Sequence, residues 1–136
     1  MPKKIISIML CFVVIMSICT ISASASELIS VNYAYTRSCS SDISVSNKTI
    51  TAKSSVIGYN GTTTKVVIKQ TLQKKSSSGT WTSAGAANST TNSYRATLSK
   101  KYTGLSSGKY RLKSVFTIYS GNKSETITKY SSEKTV

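Results

Sequence analysis

The chain has 136 residues, with 18 Lys and Arg against 4 Asp and Glu, a formal net charge of +14, and no histidine. Without histidine the chain lacks the commonest general base and metal ligand, which argues against most hydrolytic and metal-dependent enzymes. A positive charge of this size on a chain of single-domain length favours acidic partners. Candidate partners outside a cell are anionic wall polymers, lipid headgroups and free nucleic acid.

The first 25 residues have the pattern of a secretory signal peptide. Lys3 and Lys4 precede an apolar run over residues 5–21, and Ala23 and Ala25 form the small-residue site that a signal peptidase reads. The alternative is a retained membrane anchor, but the apolar run is shorter than the ~20 residues that usually span a bilayer. We therefore predict a cleaved signal peptide at residues 1–25 and a secreted protein, extracellular or associated with the cell wall, with no membrane span in its mature form.

Cysteine usage indicates a domain without internal disulfides. Cleavage would remove Cys11 and Cys19 together with two lysines, so that 16 basic and 4 acidic residues remain, a net charge of +12. Cys39 would be the one thiol left, and it shares alternation parity with Ile43 and Val45. We expect it to be a small buried hydrophobic residue. The alternative is a reactive thiol, which could link two chains if it is exposed.

The remainder of the chain has short alternating runs separated by turn residues, a pattern typical of all-β domains. We predict an N-terminal extended segment at 26–40 and one β domain at 41–136. Turns are expected at Asn47-Lys48 and Asn60-Gly61, a loop at 76–79, and a polar, mobile loop at 86–92. The predicted strands cover residues 29–36, 41–46, 49–59, 65–75, 80–84, 93–99, 110–119 and 124–136.

The strand at 110–119 has the clearest pattern. One side carries Tyr110 and the apolar residues that follow it at every second position, with a single serine among them, and the other side begins with three cations. Strict alternation predicts a strand with one face buried. The question is whether the cationic face binds a partner or only keeps the protein in solution.

Three stretches resemble fibronectin type III and immunoglobulin-like β-sandwich domains. "VVIKQTLQKKSSSGTW" resembles their third strand and hairpin, "LSSGKYRLKSV" the segment that leads into the sixth strand, and "YSGNKSE" the last hairpin. The resemblance implies a single antiparallel β-sandwich over residues 41–136, with Tyr110 as the tyrosine corner whose hydroxyl binds the preceding turn. The chain also resembles small exported proteins of low-GC Gram-positive bacteria. This architecture hosts many unrelated functions and implies no activity.

The same resemblance places the third and sixth strands side by side in one sheet. The side of each strand that faces away from the core would then form one outer surface rich in cations. No carboxylate falls on either strand, and like charges on facing strands cost stability, which suggests that the surface is used. The alternative is an ordinary solvated sheet face that resists aggregation. The predicted basic residues are Lys65, Lys69, Lys109, Arg111 and Lys113.

Nothing in the sequence indicates catalysis, and we predict that the protein is not an enzyme. The four carboxylates show no shared spacing of the kind that glycoside hydrolysis requires. No cluster of His, Cys, Asp or Glu suggests a metal site, and no cofactor is expected. The carboxylates are Glu27, Asp42, Glu125 and Glu133.

Aromatic residues offer a second kind of contact. Trp81 and Tyr119 could stack on a sugar ring or a base, with Tyr102 and Tyr130 as companions. A lone Trp in a short strand of a sandwich more often covers the edge of the core, and that is our prediction for Trp81.

We therefore predict a secreted binding module that associates electrostatically with anionic polymers of the cell envelope, or another acidic surface, through its basic sheet face. A first alternative is a protein-recognition module that uses the loops at 76–79 and 86–92 against a host or competitor protein. Extracellular nucleic-acid binding is a further alternative and would show phosphate-type salt dependence. A carbohydrate module that depends on Trp81 is another.

Overall fold

A computed structural model describes residues 32–136, so the predicted signal peptide and the beginning of the extended segment lie outside the described residues. This part of the chain is all-β, as predicted, and forms two antiparallel sheets. Its strands are β1 (Thr36–Ser46), β2 (Thr49–Gly58), β3 (Lys65–Lys75), β4 (Trp81–Thr91), β5 (Arg95–Tyr102), β6 (Lys109–Ser120), β7 (Lys123–Tyr130) and β8 (Lys134–Thr135). No helix within residues 32–136 has the length and apolar character that crossing a membrane demands.

The strand order creates one small and one large sheet. The small sheet has the order β1-β2-β5, and the large one has the order β4-β3-β6-β7, with β8 also pairing with β6. The expected pairing of the strands at 65–75 and 110–119 is confirmed, because β3 and β6 are antiparallel neighbours with Lys65 opposite Tyr119 and Gln73 opposite Arg111. The predicted turn between β1 and β2 is also present, and Asn47 and Lys48 both have positive φ, as the tightest hairpins require.

Every second residue of β2, β3 and β6 is buried, so the core lies between the two sheets. The buried side chains form two apolar clusters. One cluster contains Phe116 and Ile118 of β6 with Ile68 and Val56. The other contains Leu112 and Tyr110 of β6 with Leu72, Ile50 and Ile43.

A layer of polar side chains lies between the two clusters. Ser114 of β6 hydrogen bonds through its hydroxyl to Ser41 Oγ and Ser54 Oγ, each at 2.7 Å, which joins the two sheets. Gln70 Nε2 donates to Ser54 Oγ at 2.9 Å, while its Oε1 is buried without a partner in the described chain. The alternation in β6 placed Ser114 on the buried side, but the sequence alone did not reveal this network.

Two further contacts fix the chain around the core. The Tyr110 hydroxyl donates to the Ser106 carbonyl at 2.7 Å, which ties β6 to the turn before it. The Glu125 carboxylate accepts hydrogen bonds from the backbone N–H groups of Ala34 and Tyr35 and from the Thr36 hydroxyl. Glu125 thus fastens the beginning of β1 to β7, and its charge is engaged there.

The structure corrects the strand predictions at several places. Residues 32–35 of the predicted strand at 29–36 are not in a strand, and the predicted strand at 124–136 is divided into β7 and β8. The predicted break between residues 36 and 41 is absent, because β1 runs continuously from Thr36 to Ser46 and pairs with β2 along its length. The predicted loop at 86–92 is wrong, since residues up to Thr91 belong to β4 and pair with β3. Small polar residues have weak strand preference of their own, and pairing with a neighbouring strand overrides it here.

Candidate functional site on the outer face of the large sheet

The five predicted basic residues lie on β3 and β6 at positions that alternate with buried residues. Val66, Ile68 and Leu72 of β3 are fully buried, so their neighbours at odd-numbered positions point away from the core. In β6 the residues from Tyr110 to Ile118 alternate in the same way. We call the outward residues Lys65, Lys69, Lys109, Arg111 and Lys113 the basic face.

The basic face contains one row of closely spaced cations. Lys109, Arg111 and Lys113 follow one another at every second position of β6, which separates their Cα atoms by about 7 Å per step. Across the strand pair, Lys69 lies opposite Val115 and Lys113 opposite Thr71, so no two of these cations face each other directly. The staggering lowers the repulsion that the sequence led us to expect.

The carboxylates of the described chain lie mostly away from the basic face. Asp42 is on β1 of the small sheet, and Glu125 lies opposite the buried Ile118 and binds the beginning of β1. Within residues 32–136 the one ion pair joins Lys75 Nζ and Glu133 at 3.6 Å, at one corner of the large sheet. The five residues of the basic face therefore form no ion pair within the described chain.

Aromatic rings hold two of the cations. Lys65 Nζ lies 4.0 Å from the centroid of the ring of Tyr119, which is the residue directly opposite Lys65 in β6. The Arg111 guanidinium lies 4.2 Å from the Trp81 ring and 4.4 Å from the Tyr130 ring. Contacts of this length between a cation and a ring face are attractive and restrict the long side chains.

The predicted core-edge position of Trp81 is wrong. Gly85 of β4 lies opposite Leu72, and the next pair is Ser83 with Gln73, so Ala84 is an extra residue that forms a β-bulge. With strict alternation from Gly85, Trp81 would face the core. The bulge reverses this parity and places Trp81 opposite Lys75, with its ring against Arg111 on the outer face.

Several contributors to this surface were not singled out from the sequence. Gln73 Oε1 accepts a hydrogen bond from Arg111 Nε at 2.9 Å, and Lys75 Nζ lies 5.3 Å from the Trp81 ring. Tyr130, considered only as a companion aromatic, is 49% exposed. Alternation along β3 places Gln73 and Lys75 on this outer side, but it gave no sign of their contacts with Arg111 and Trp81. Tyr102 instead packs against the inner apolar cluster.

Cys39 lies apart from this surface, on β1 opposite Val56, and packs against the first apolar cluster. The thiol is free and half-buried. Burial raises its pKa, Lys129 lowers the pKa in part, and Glu125 adds to the rise. Because a raised pKa leaves less thiolate at neutral pH, the thiol is a weak nucleophile.

We expect iodoacetamide to alkylate Cys39 at pH 7.5 at least about fivefold more slowly in the folded protein than in the same protein unfolded in urea. Raising the pH should narrow the difference as the folded-state thiol ionises. Mass spectrometry of the peptide that carries Cys39 gives both rates. An equal or faster rate in the folded state would contradict the half-buried, protonated thiol.

The search of the described residues for a metal site and two comparisons with known proteins add nothing to this geometry. Among residues 32–136 no group of three or more His, Cys, Asp or Glu side chains could hold a metal ion. The sequence matches no protein-family model, and comparison with curated proteins gave no match.

Proposed function

We propose that the protein is an exported, non-catalytic binding module that associates with anionic polymers of the cell envelope through the basic face. The observation that carries the proposal is the row of three cations on β6, extended by Lys65 and Lys69 on β3, which forms no ion pair within the described residues. Attraction to an anionic surface contributes on the order of 1 kcal/mol per cation near that surface. Several such contacts give useful affinity without a deep pocket.

Export and fold identity are part of the same proposal. The signal-peptide pattern of residues 1–25 supports secretion, which would bring the basic face to wall polymers. We infer that the domain is of fibronectin type III or immunoglobulin-like type. The strand orders β1-β2-β5 and β4-β3-β6-β7 and the bond from the Tyr110 hydroxyl to the Ser106 carbonyl support this inference, and the lone Cys39 favours the disulfide-free fibronectin type.

The test replaces all five residues of the basic face by serine. We expect binding to Gram-positive wall preparations at low salt to fall by at least about 100-fold, because five electrostatic contacts are lost together. The matched control removes the same charges from the exposed residues of the small sheet and its hairpin: Lys48, Lys53, Arg95, Lys100 and Lys101. Sedimentation with purified walls measures both variants, after circular dichroism has verified their folding.

The control variant should lose at least about tenfold less binding than the basic-face variant, since its charges lie on the other sheet and Coulomb attraction weakens with distance. Unchanged binding of the basic-face variant would show that the surface is assigned wrongly. Equal losses of binding in the two variants would show that the interaction depends on net charge and not on the basic face.

A second candidate function is protein recognition, and one observation favours it. β4 is an edge strand of the large sheet, and its eleven residues include no charged side chain. An uncharged edge is a template for an added strand from another chain. Of the two loops first considered, 76–79 remains a turn between β3 and β4, whereas 86–92 is largely strand. Binding of a protein partner that does not depend on salt concentration, and that is lost when a charge is placed on β4 by Ala86→Lys, would favour this function over the electrostatic one.

A further inference from the structure

The surroundings of Arg111 distinguish it from the other cations of the basic face. Four adjacent strands each contribute one side chain: Trp81 begins β4, Gln73 lies on β3, Arg111 on β6, and Tyr130 ends β7. Because β4 and β7 flank the β3–β6 pair, the two rings approach the guanidinium from either side, at 4.2 and 4.4 Å. The Gln73 side chain fixes Nε with a bond of 2.9 Å.

This arrangement leaves one part of the guanidinium available. Its Nε donates to Gln73, and within the described chain its two terminal nitrogens have no hydrogen-bond acceptor. The terminal nitrogens form a planar fork that matches the two oxygens of a phosphate or carboxylate group. A fork already held by rings and an amide loses less conformational freedom on binding than a free lysine does.

The flanking charges complement an anionic chain with repeated charges. Lys109 and Lys113 lie one step of about 7 Å to each side of Arg111 along β6. Lys75 adds a further cation beside Trp81, although Glu133 partly compensates it at 3.6 Å. A polymer that runs along β6 would therefore meet three cations in succession, with the preorganised one at the centre.

The Trp81 ring is a poor stacking platform for a nucleobase. Two cations compete with a base for it, since Lys75 Nζ lies 5.3 Å and the Arg111 guanidinium 4.2 Å from its centroid. The site thus offers charge and a guanidinium fork, and its single tryptophan already contacts two cations. A phosphodiester polymer without bases satisfies these features.

We propose that Arg111 anchors one phosphodiester group of a base-free, polyol-phosphate polymer through its two terminal nitrogens, while Lys109 and Lys113 contact the neighbouring phosphodiesters. This inference rests on the proposed function, and deepens it by assigning the anchor and the anionic group. Trp81, Tyr130 and Gln73 act as positioning residues that hold the fork.

The first experiment tests the anchor without any polymer. Dimethyl phosphate is titrated into the protein, purified from a secreting host, while the arginine Nε–Hε signals are followed by NMR. Arg95 on β5, whose guanidinium lies 5.1 Å from the Tyr94 ring, is the internal control. We expect the Arg111 signal to saturate at a dimethyl phosphate concentration at least about fivefold lower than the Arg95 signal does, since the Arg111 fork is preorganised. Equal responses, or a stronger response to acetate than to dimethyl phosphate, would overturn the assignment.

The second experiment uses polyglycerol phosphate of defined length and Arg111→Lys, which keeps the charge and removes the fork. We expect about tenfold weaker binding for Arg111→Lys, and less than about twofold change for Lys100→Gln, which removes one charge from the small sheet.

Unchanged binding by Arg111→Lys, with loss in the five-serine variant, would reject the anchor and keep the basic face. Tighter binding of single-stranded DNA than of polyglycerol phosphate would reject the base-free polymer. If the original protein binds no wall polymer, the proposed function fails, and the dimethyl phosphate titration still decides whether Arg111 is an oxyanion site.

Discussion

Phe116→Ala is expected to lower the free energy of unfolding by about 3–5 kcal/mol, the range measured for truncating a buried aromatic residue. Phe116 is fully buried in the first apolar cluster, between Ile68 of β3 and Ile127 of β7. The described domain contains one free cysteine and no disulfide to compensate. A loss of this size is a large fraction of the ~5–15 kcal/mol that stabilises a typical domain, so the variant should unfold at a clearly lower urea concentration than the original protein.

The matched control is Val115→Ala, one residue earlier on the same strand. Val115 points to the outer face and is only partly buried, so we expect a loss below about 1 kcal/mol. Urea denaturation followed by far-UV circular dichroism measures both variants. Similar losses for the two variants would contradict the assignment of the inner and outer faces of β6, on which the basic face depends.

The second large effect is expected in the polar layer of the core. Ser114→Ala removes the hydroxyl that connects Ser41 and Ser54 across the two sheets, and we expect a loss of about 1–3 kcal/mol because polar groups remain buried with fewer partners. Gln70→Met should behave differently. It removes a buried amide whose Oε1 has no partner in the described chain, and the apolar replacement has similar volume.

We therefore expect Gln70→Met to leave the stability within about 1 kcal/mol of the original, or to raise it. Denaturant titration of both single variants provides the comparison. A large loss for Gln70→Met together with no loss for Ser114→Ala would mean that Gln70, and not Ser114, carries the network. The double variant should show non-additivity, since Ser54 binds both side chains.

The strands with strong alternation could be predicted from the sequence. Lys65–Lys75 was predicted with its observed bounds, and Lys109–Ser120 to within one residue at each end, because each has apolar residues at every second position. The pairing of these two strands followed from the resemblance. These two elements were sufficient to locate the basic face.

The shape of β4 and the surroundings of Arg111 depend on tertiary contacts that leave little trace in the local sequence pattern. β4 has only small and polar residues after Trp81, and its shape follows from pairing with β3 and from its packing. A side chain at Gly85 would meet the Tyr102 ring at 2.5 Å, which explains a residue with poor strand preference at this position. The bulge at Ala84 determines where Trp81 points, and bulges are not visible in an alternation pattern. The aromatic surroundings of Arg111 were therefore not predictable.

Electrostatic binding to the envelope is tested by retention of the protein, purified after export, on Gram-positive walls. The walls are used with and without their anionic polymers, each at low and high salt. We expect retention only where the polymers are present and salt is low, because the contact is electrostatic and screened by ions. Retention that persists without the polymers or in high salt would contradict it. Absence of retention under all four conditions would mean that the basic face only keeps the protein in solution.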